Sequence, residues 1–315
     1  MGETSARAQP SVVTPGNYDG VHLGHRQLLA TARAEAARGP ASMRVVAMTF
    51  DPHPAHFMAK EGGGELLTEP SRRRELLLGL GADEVVIKRF DADFAALTPD
   101  AFARAVLVGE LGAHAVVVGE DFRFGTGRAG DVAMLHTLGA QLGFSVIDVA
   151  KVQCAGNAVS SSRIRRALAD GDVTSAAQML GRVHDVTRRV IRGDQRGRTI
   201  GVPTANLELA GTLLPQSGVY AVVVKVLGEP GANLRAGVAN LGSRPTVAAG
   251  RSFEVHLLDF EGDLYDHELR VGFVERLREE RKFPDLGALK QQIHRDIQAA
   301  RSAIEATDAE RLRWI

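Results

Sequence analysis

The chain reads as a doubly wound α/β domain followed by an antiparallel β domain, a barrel or sandwich, and three observations predict this. Up to about residue 180, short continuous Val/Ile runs alternate with amphipathic stretches, the pattern of parallel strands buried on both faces. Beyond it, alternating β segments succeed one another between Gly, Pro and Asn turns. With 315 residues the chain is long enough to bury two cores.

In the first half, Ser11 to Thr14 is a β-branched strand and Arg26 to Arg38, rich in Ala, Leu and Arg, a helix. Arg44 to Phe50 is a buried strand ended by Asp51-Pro52-His53-Pro54. Helices over Pro70 to Leu80, Pro99 to Leu111 and Val132 to Leu142 alternate with strands at Glu84 to Ile87, Ala115 to Val118 and Ser145 to Val149. In the second half, strands are predicted at Val186 to Ile191, Gly218 to Leu227, Arg235 to Leu241, Phe253 to Phe260 and Glu268 to Phe273. A charged helix over about Leu286 to Glu305 closes the chain. The division between the domains is expected at residues 182/183.

Composition narrows the function. Hydrophobic residues make up 44% and charged residues 24%, an ordinary globular balance. Lys+Arg and Asp+Glu both number 38, and this neutrality argues against nucleic acid as the main partner. The single cysteine, Cys154, excludes a disulfide framework and fits a reducing cytoplasm. No apolar run reaches about 18 residues and the first ten residues hold no apolar leader, so neither a membrane span nor a secretory signal is expected. Oligomeric state, monomer or homo-oligomer, is open at this stage.

Ligands of doubly wound sheets bind at the carboxyl ends of the strands, and the first chemical motif lies there. Gly16-Asn17-Tyr18-Asp19-Gly20-Val21-His22-Leu23-Gly24-His25 joins a strand to a helix N-terminus, where backbone N–H groups and the helix dipole favour an anion. His22 and His25, three apart, share a helix face, and Gly24 leaves room for close approach to the backbone. Paired zinc ligands are the other reading, although no third ligand stands nearby. Further on, Ser160, Ser161 and Ser162 with Arg163 and Arg165 converge on another helix start, running to Ala169. Serine there is commonly only a cap, but three hydroxyls with two Arg suit a polyphosphate.

In the second half, residues 193–207 read GDQRGRTIGVPTANL. The glycines make a loop able to cradle phosphate, though it is no Walker A sequence. Thr204 and Asn206, two apart on an extended strand, face one way and offer two neutral oxygens suited to Mg²⁺. Alternation in Ser252 to Phe260 places Glu254, His256 and Leu258 on one face.

The opening motif resembles the phosphate-binding signature of HIGH-superfamily nucleotidyltransferases, in the form found in bacterial bifunctional riboflavin kinase/FMN adenylyltransferases; Tyr18 stands where Phe is usual. Asp51-Pro52-His53-Pro54, residues 118–125 (VGEDFRFG), the Ser/Arg loop, the PTAN string and Asn240 to Thr246 are similar to the same family, so the resemblance covers nearly the whole chain. It implies a Rossmann-like nucleotidyltransferase domain at 1–182 and a β-barrel riboflavin kinase domain at 183–315. Riboflavin would be phosphorylated by ATP to FMN, and FMN adenylylated to FAD with release of pyrophosphate. It implies that His22 and His25 act in adenylyl transfer, and that Gly16, Asn17, Asp19, Gly20, Gly24, Ser160, Ser161, Ser162 and Arg163 bind ATP. Flavin would meet Asp121, Phe122, His53 and Pro54. In the kinase, Gly193, Arg196, Gly197 and Arg198 would hold phosphate, Thr204 and Asn206 the Mg²⁺, and Glu254 would be the base. Two alternatives stay open: a superfamily enzyme with another acceptor such as pantetheine phosphate, and a flavin- or nucleotide-sensing module that has lost catalysis. The PTAN barrel argues against the first, and the presence of Glu254, His22 and His25 against the second.

Overall fold

The computed structural model describes residues 9–39, 43–58, 64–193, 201–229, 233–243 and 251–315. By packing, the chain divides into two units, one formed by residues up to Gly64 with Glu69–Val159, the other by Glu65–Thr68 with Ser160–Ile315.

The first unit is built on a five-stranded parallel sheet of strands β1 (Ser11–Pro15), β2 (Arg44–Asp51), β3 (Glu84–Arg89), β4 (Ala113–Gly119) and β5 (Ser145–Val149), in the order β3-β2-β1-β4-β5. Val12, Val13, Val45, Val46, Val116 and Val117 are fully buried, as expected of strands covered on both faces. Helices α1 (Leu23–Arg38), α2 (Pro54–Met58), α3 (Pro70–Gly79), α4 (Ala92–Ala95), α5 (Pro99–Ala101) and α6 (Val132–Leu142) connect them. The helix predicted over Pro99 to Leu111 is in fact two pieces. Thr98 Oγ1 caps α5 by accepting from the Ala101 N–H at 3.2 Å. A π-helix then runs over Phe102–Glu110, keeping Phe102, Ala103, Val106 and Leu107 inward. A short hairpin, β6 (Gln153–Cys154) and β7 (Asn157–Ala158), was not foreseen in the sequence; two residues a side give no readable alternation.

The second unit opens with helices α7 (Ser161–Ala169) and α8 (Val173–Leu180), then a closed antiparallel barrel. Its strands are β8 (His184–Ile191), β9 (Ala205–Leu207), β10 (Gly218–Val226), β11 (Arg235–Ser243), β12 (Arg251–Leu257) and β13 (Glu268–Arg278), in the order β10-β11-β12-β9-β8-β13. Closure decides for a barrel over a sandwich. Tyr220, Val222, Ala239, Phe253, Val255, Val271 and Phe273 fill its interior. The outer face of β10 and β13 packs Ala221, Val223 and Val274 beneath helix α9 (Leu286–Glu305), through Ala300. A short helix α10 (Ala309–Leu312) ends the chain, and Ile315 joins that outer cluster. Helix α8, absent from the sequence expectation, packs on β8 and β13, and the Leu168 carbonyl of α7 accepts from the Gln216 N–H at 2.9 Å. This packing groups residues 160–180 with the barrel rather than with the parallel sheet.

Where β8 begins, a polar cluster is buried. Arg182 and Asp185 form an ion pair at 3.4 Å with both side chains almost wholly excluded from solvent. Arg188 donates to the Thr212 carbonyl at 2.6 Å, and His184 Nε2 lies 2.9 Å from the Leu213 carbonyl. Burial holds His184 at a pKa of about 4, with Arg182 and Arg188 adding to the shift and the Leu213 carbonyl and Asp185 opposing it. The imidazole is therefore neutral in the folded chain, whereas the unfolded chain takes up a proton below about pH 6.5. Stability from this group is present above about pH 6.5 and is lost as the pH falls towards 4, by roughly 3 kcal/mol in full. Urea unfolding of His184→Gln should lack that share of the acid destabilisation; parallel midpoint-against-pH curves for the two proteins would exclude it.

Candidate functional site

The turn after β1 is held from within. Tyr18 is fully buried, and its hydroxyl donates to the Thr14 carbonyl at 2.9 Å and lies 2.7 Å from Thr14 Oγ1. Burial raises its pKa, so it stays a neutral phenol. The hydroxyl that Phe lacks thus has a prepared partner. Tyr18, Gly20 and Val21 adopt φ of 54°, 87° and 43°, a left-handed path that is strained for a β-branched residue. His22 caps α1, and its backbone N–H donates to His25 Nδ1 at 3.3 Å while the two rings stack at 3.7 Å. The space that Gly24 leaves is taken by the His22 ring, which a Cβ there would meet at 3.1 Å. The histidines thus form one stacked pair at a helix start, and no group of three or more His, Cys, Asp or Glu able to hold a metal occurs among the described residues.

Beside this turn, at the carboxyl ends of β1, β2 and β4, lies a cavity of about 320 Å³ lined by Gly16, Asn17, Pro54, Asp121 and Phe122 among others. Its walls are mainly aromatic: Phe50, Phe90, Phe94, Phe102, Phe122 and Phe124, six of the chain's twelve phenylalanines. Phe122 and Phe124 stack at 5.6 Å, and Phe50 meets Phe90 and Phe94 edge-on. Phe90, Phe94 and Phe102 belong to no motif, and the six rings come from four separate segments, so only the fold assembles them. Asp121 pairs with Lys151 at 3.0 Å and raises the lysine's pKa. His53 does not line the cavity; it is buried, and its Nδ1 accepts from the Ala55 N–H at 3.1 Å at the start of α2. In the second unit, Ser160 caps α7, its Oγ accepting from the Arg163 N–H at 3.3 Å, with Ser161 partly buried and Ser162 exposed.

The barrel presents a second polar constellation on its outer face. Glu254 of β12 stands opposite Asn206 of β9 and Asn240 of β11, and residues paired this way project to one side of the sheet. Thr204 Oγ1 lies 3.5 Å from Glu254 Oε2, and His256 Nδ1 2.7 Å from the Pro203 carbonyl. Gly193 sits against the Asn206 amide, so closely that a side chain there would displace it. Arg196, Gly197 and Arg198 lie outside the described residues.

Glu254, Asn240 and His256 open into a cavity of about 590 Å³ whose far wall is apolar, formed by Leu286, Leu289, Ile293 and Ile297 of α9 with Phe283. A smaller cleft of about 210 Å³ lies on the other side of Thr204, which lines both, and ends at Phe260, Asp263 and Tyr265. Helix α9 is pinned over the larger cavity by Arg278, whose Nη2 donates to Asp296 Oδ2 at 2.8 Å and Nε to Oδ1 at 3.1 Å. Gln292 supports the same carboxylate at 2.7 Å.

A family model described as FAD synthetase matches residues 4–163, and one described as riboflavin kinase matches residues 180–304. The bifunctional riboflavin kinase/FMN adenylyltransferase of Escherichia coli K12 is 41% identical over 299 residues, 95% of this chain and 94% of that protein. The chain belongs to the bifunctional riboflavin kinase/FMN adenylyltransferase family. The corresponding protein of Pseudomonas fluorescens is likewise 41% identical, over 95% of this chain and 94% of that one. A solved structure from Streptococcus pneumoniae, described as a macrolide-efflux protein, is 31% identical with a TM-score of 0.84, covering 93% of this chain and 94% of its own. Among the described residues no helix is long and apolar enough to cross a membrane.

Within this family frame, the Arg278–Asp296 pair is what holds the apolar helix against the cavity. Its two side chains are 19% and 6% exposed, so Asp296→Ala leaves a largely buried guanidinium without its carboxylate. The variant should unfold with roughly 3 kcal/mol less stability, read from chemical denaturation followed at the barrel.

Proposed function

We propose that the second unit phosphorylates riboflavin to FMN and that residues of the N-terminal motifs adenylylate FMN to FAD, with the chemistry dividing near residue 182. The observation that carries the kinase reading is Thr204, shared by an apolar cavity large enough for a ring system and a smaller polar-ended cleft. We assign the flavin to the former and the nucleotide to the latter, so that phosphoryl transfer occurs beside Thr204, Asn206 and Glu254. Glu254 accepts the proton of the ribityl 5′-hydroxyl as that oxygen attacks the γ-phosphorus of ATP and ADP leaves. Thr204 and Asn206 fit a hard cation: both carry neutral oxygens, the Glu254 carboxylate is adjacent, and the missing Cβ of Gly193 makes room for the Asn206 amide. Mg²⁺ held there supplies charge neutralisation for the nucleotide phosphates.

In the first unit, the aromatic cavity fits the isoalloxazine ring of FMN, and the adjoining turn with His22 and His25 fits a phosphate chain. The FMN phosphate oxygen attacks the α-phosphorus of ATP and pyrophosphate leaves. His22 and His25 donate hydrogen bonds to phosphate oxygens as charge develops. The decisive assay incubates the purified protein with riboflavin, ATP and Mg²⁺ and separates the flavins over time: FMN should rise first and FAD follow. Flavin that stays riboflavin throughout would end this reading.

Base and metal ligands separate within the kinase site. Glu254→Gln should lower the kinase rate by roughly 10²–10⁴ with little change in ATP·Mg affinity and no rescue by added Mg²⁺. Asn206→Ala should instead weaken nucleotide binding and recover in part at high Mg²⁺. Metal rescue of Glu254→Gln would reassign that carboxylate as a ligand. In the other activity, His22→Ala and His25→Ala should each lower FAD formation by about 10²–10³ while FMN production continues. Normal FAD synthesis in both would remove the histidines from the mechanism.

A further inference from the structure

Helix α3 sends a fully buried arginine, Arg73, beneath the phosphate turn. Its Nη1 donates to the Asn17 carbonyl at 2.7 Å and to Thr49 Oγ1 at 3.1 Å, and the Thr49 hydroxyl itself donates to the Asn17 carbonyl at 3.0 Å. One backbone oxygen of the turn is thus held from two sides, by a residue of β2 and by a cation. We propose that Arg73 is a positioning residue for adenylyl transfer: it locks the Asn17–Tyr18 peptide so that the turn keeps its phosphate-facing shape. The inference rests on the adenylyl-transfer reading of the first unit.

The geometry of the peptide supplies the link. In a trans peptide the carbonyl and the following N–H point in opposite directions. With the Asn17 oxygen drawn inward to Arg73, the Tyr18 N–H is aimed outward, and it has no acceptor among the described residues. Gly16 and Asn17, next to that peptide in the chain, line the aromatic cavity. Tyr18, Gly20 and Val21 follow in left-handed conformations, so a peptide flip at Asn17 would propagate through the strained turn to His22.

Charge gives the same residue a second task. Asp19 is buried in the turn and Asp51 ends β2, and both act electrostatically on Arg73. With Arg73 the three sum to one negative charge, so the guanidinium offsets part of the acidic charge beside a site that must accept polyphosphate. Stability by itself does not account for an arginine here. Its Nε and Nη2 are buried without a hydrogen-bond partner among the described residues, and burial lowers its pKa. An apolar side chain of similar volume costs less in such a place.

The test uses the full-length protein and three readouts: adenylyl transfer with KM for FMN, riboflavin phosphorylation, and thermal unfolding. Arg73→Met keeps bulk and removes the cation; its kcat for FAD formation should fall about 30- to 100-fold, with KM for FMN within threefold and the kinase rate unchanged. Arg73→Lys keeps the charge, but its ammonium ends one bond short of the Nη1 position that donates to Asn17 and Thr49; it should recover at least threefold of that loss and remain below the unsubstituted protein. A purely structural arginine predicts lower thermal stability with normal kcat per folded molecule, and that result in both variants overturns the proposal. Should Arg73→Met fail to fold, Arg73→Lys decides alone, normal kcat refuting the positioning role. If the unsubstituted protein makes FMN but no FAD, the adenylyl-transfer reading itself has failed, a result distinct from normal FAD synthesis in the variants.

Discussion

The second unit depends on one strand pairing along both of its edges. β13 joins β10 on one side and β8 on the other over most of its length, and this closes the barrel. A closed sheet has no free edge and a definite inside and outside. Phe253, Tyr220 and Phe273 fill much of the inside, and the inward-facing Val190, Ala205, Val255 and Leu257 line the smaller cleft. Glu254 and Asn240 lie on the outside, and β13 runs on to Arg278, which fixes the helix that covers that outer face. Barrel closure, the helix clamp and the position of Glu254 thus follow from a single pairing pattern.

The first unit meets a different constraint with a related solution. A parallel sheet buried on both faces leaves only its strand ends for a ligand. There the chain makes a left-handed turn that no local preference favours at Tyr18 and Val21. It is held by contacts from elsewhere: the Thr14 carbonyl on the Tyr18 hydroxyl, and Arg73 with Thr49 on the Asn17 carbonyl. Strain at the turn and support beneath it belong to one device, since the conformation persists only where the surroundings over-determine it.

Much of this was legible in the sequence by itself. Parallel strands announced themselves as Val/Ile runs, because burial on both faces removes the need for polar alternation. Alternation in Ser252 to Phe260 placed Glu254, His256 and Leu258 on one face; Glu254 and His256 do share a cavity wall, whereas the strand ends at Leu257, before Leu258. The motif strings and their spacing identified the family, because phosphate-binding turns demand specific residues at adjacent positions and so leave compact marks on the chain.

Tertiary structure decided what no local pattern records. Phe50, Phe90, Phe94 and Phe124 become one wall only when the ends of separate strands and loops converge. Arg73 reads in the sequence as one of three successive arginines, 72–74, on a helix, indistinguishable from its neighbours. Yet only Arg73 reaches Asn17, 56 positions away. Asp296 looks like a polar residue of a charged helix until β13 brings Arg278 against it. Periodicity reports how far each residue is buried and which way it faces, whereas a contact between distant residues depends on the path of the chain between them.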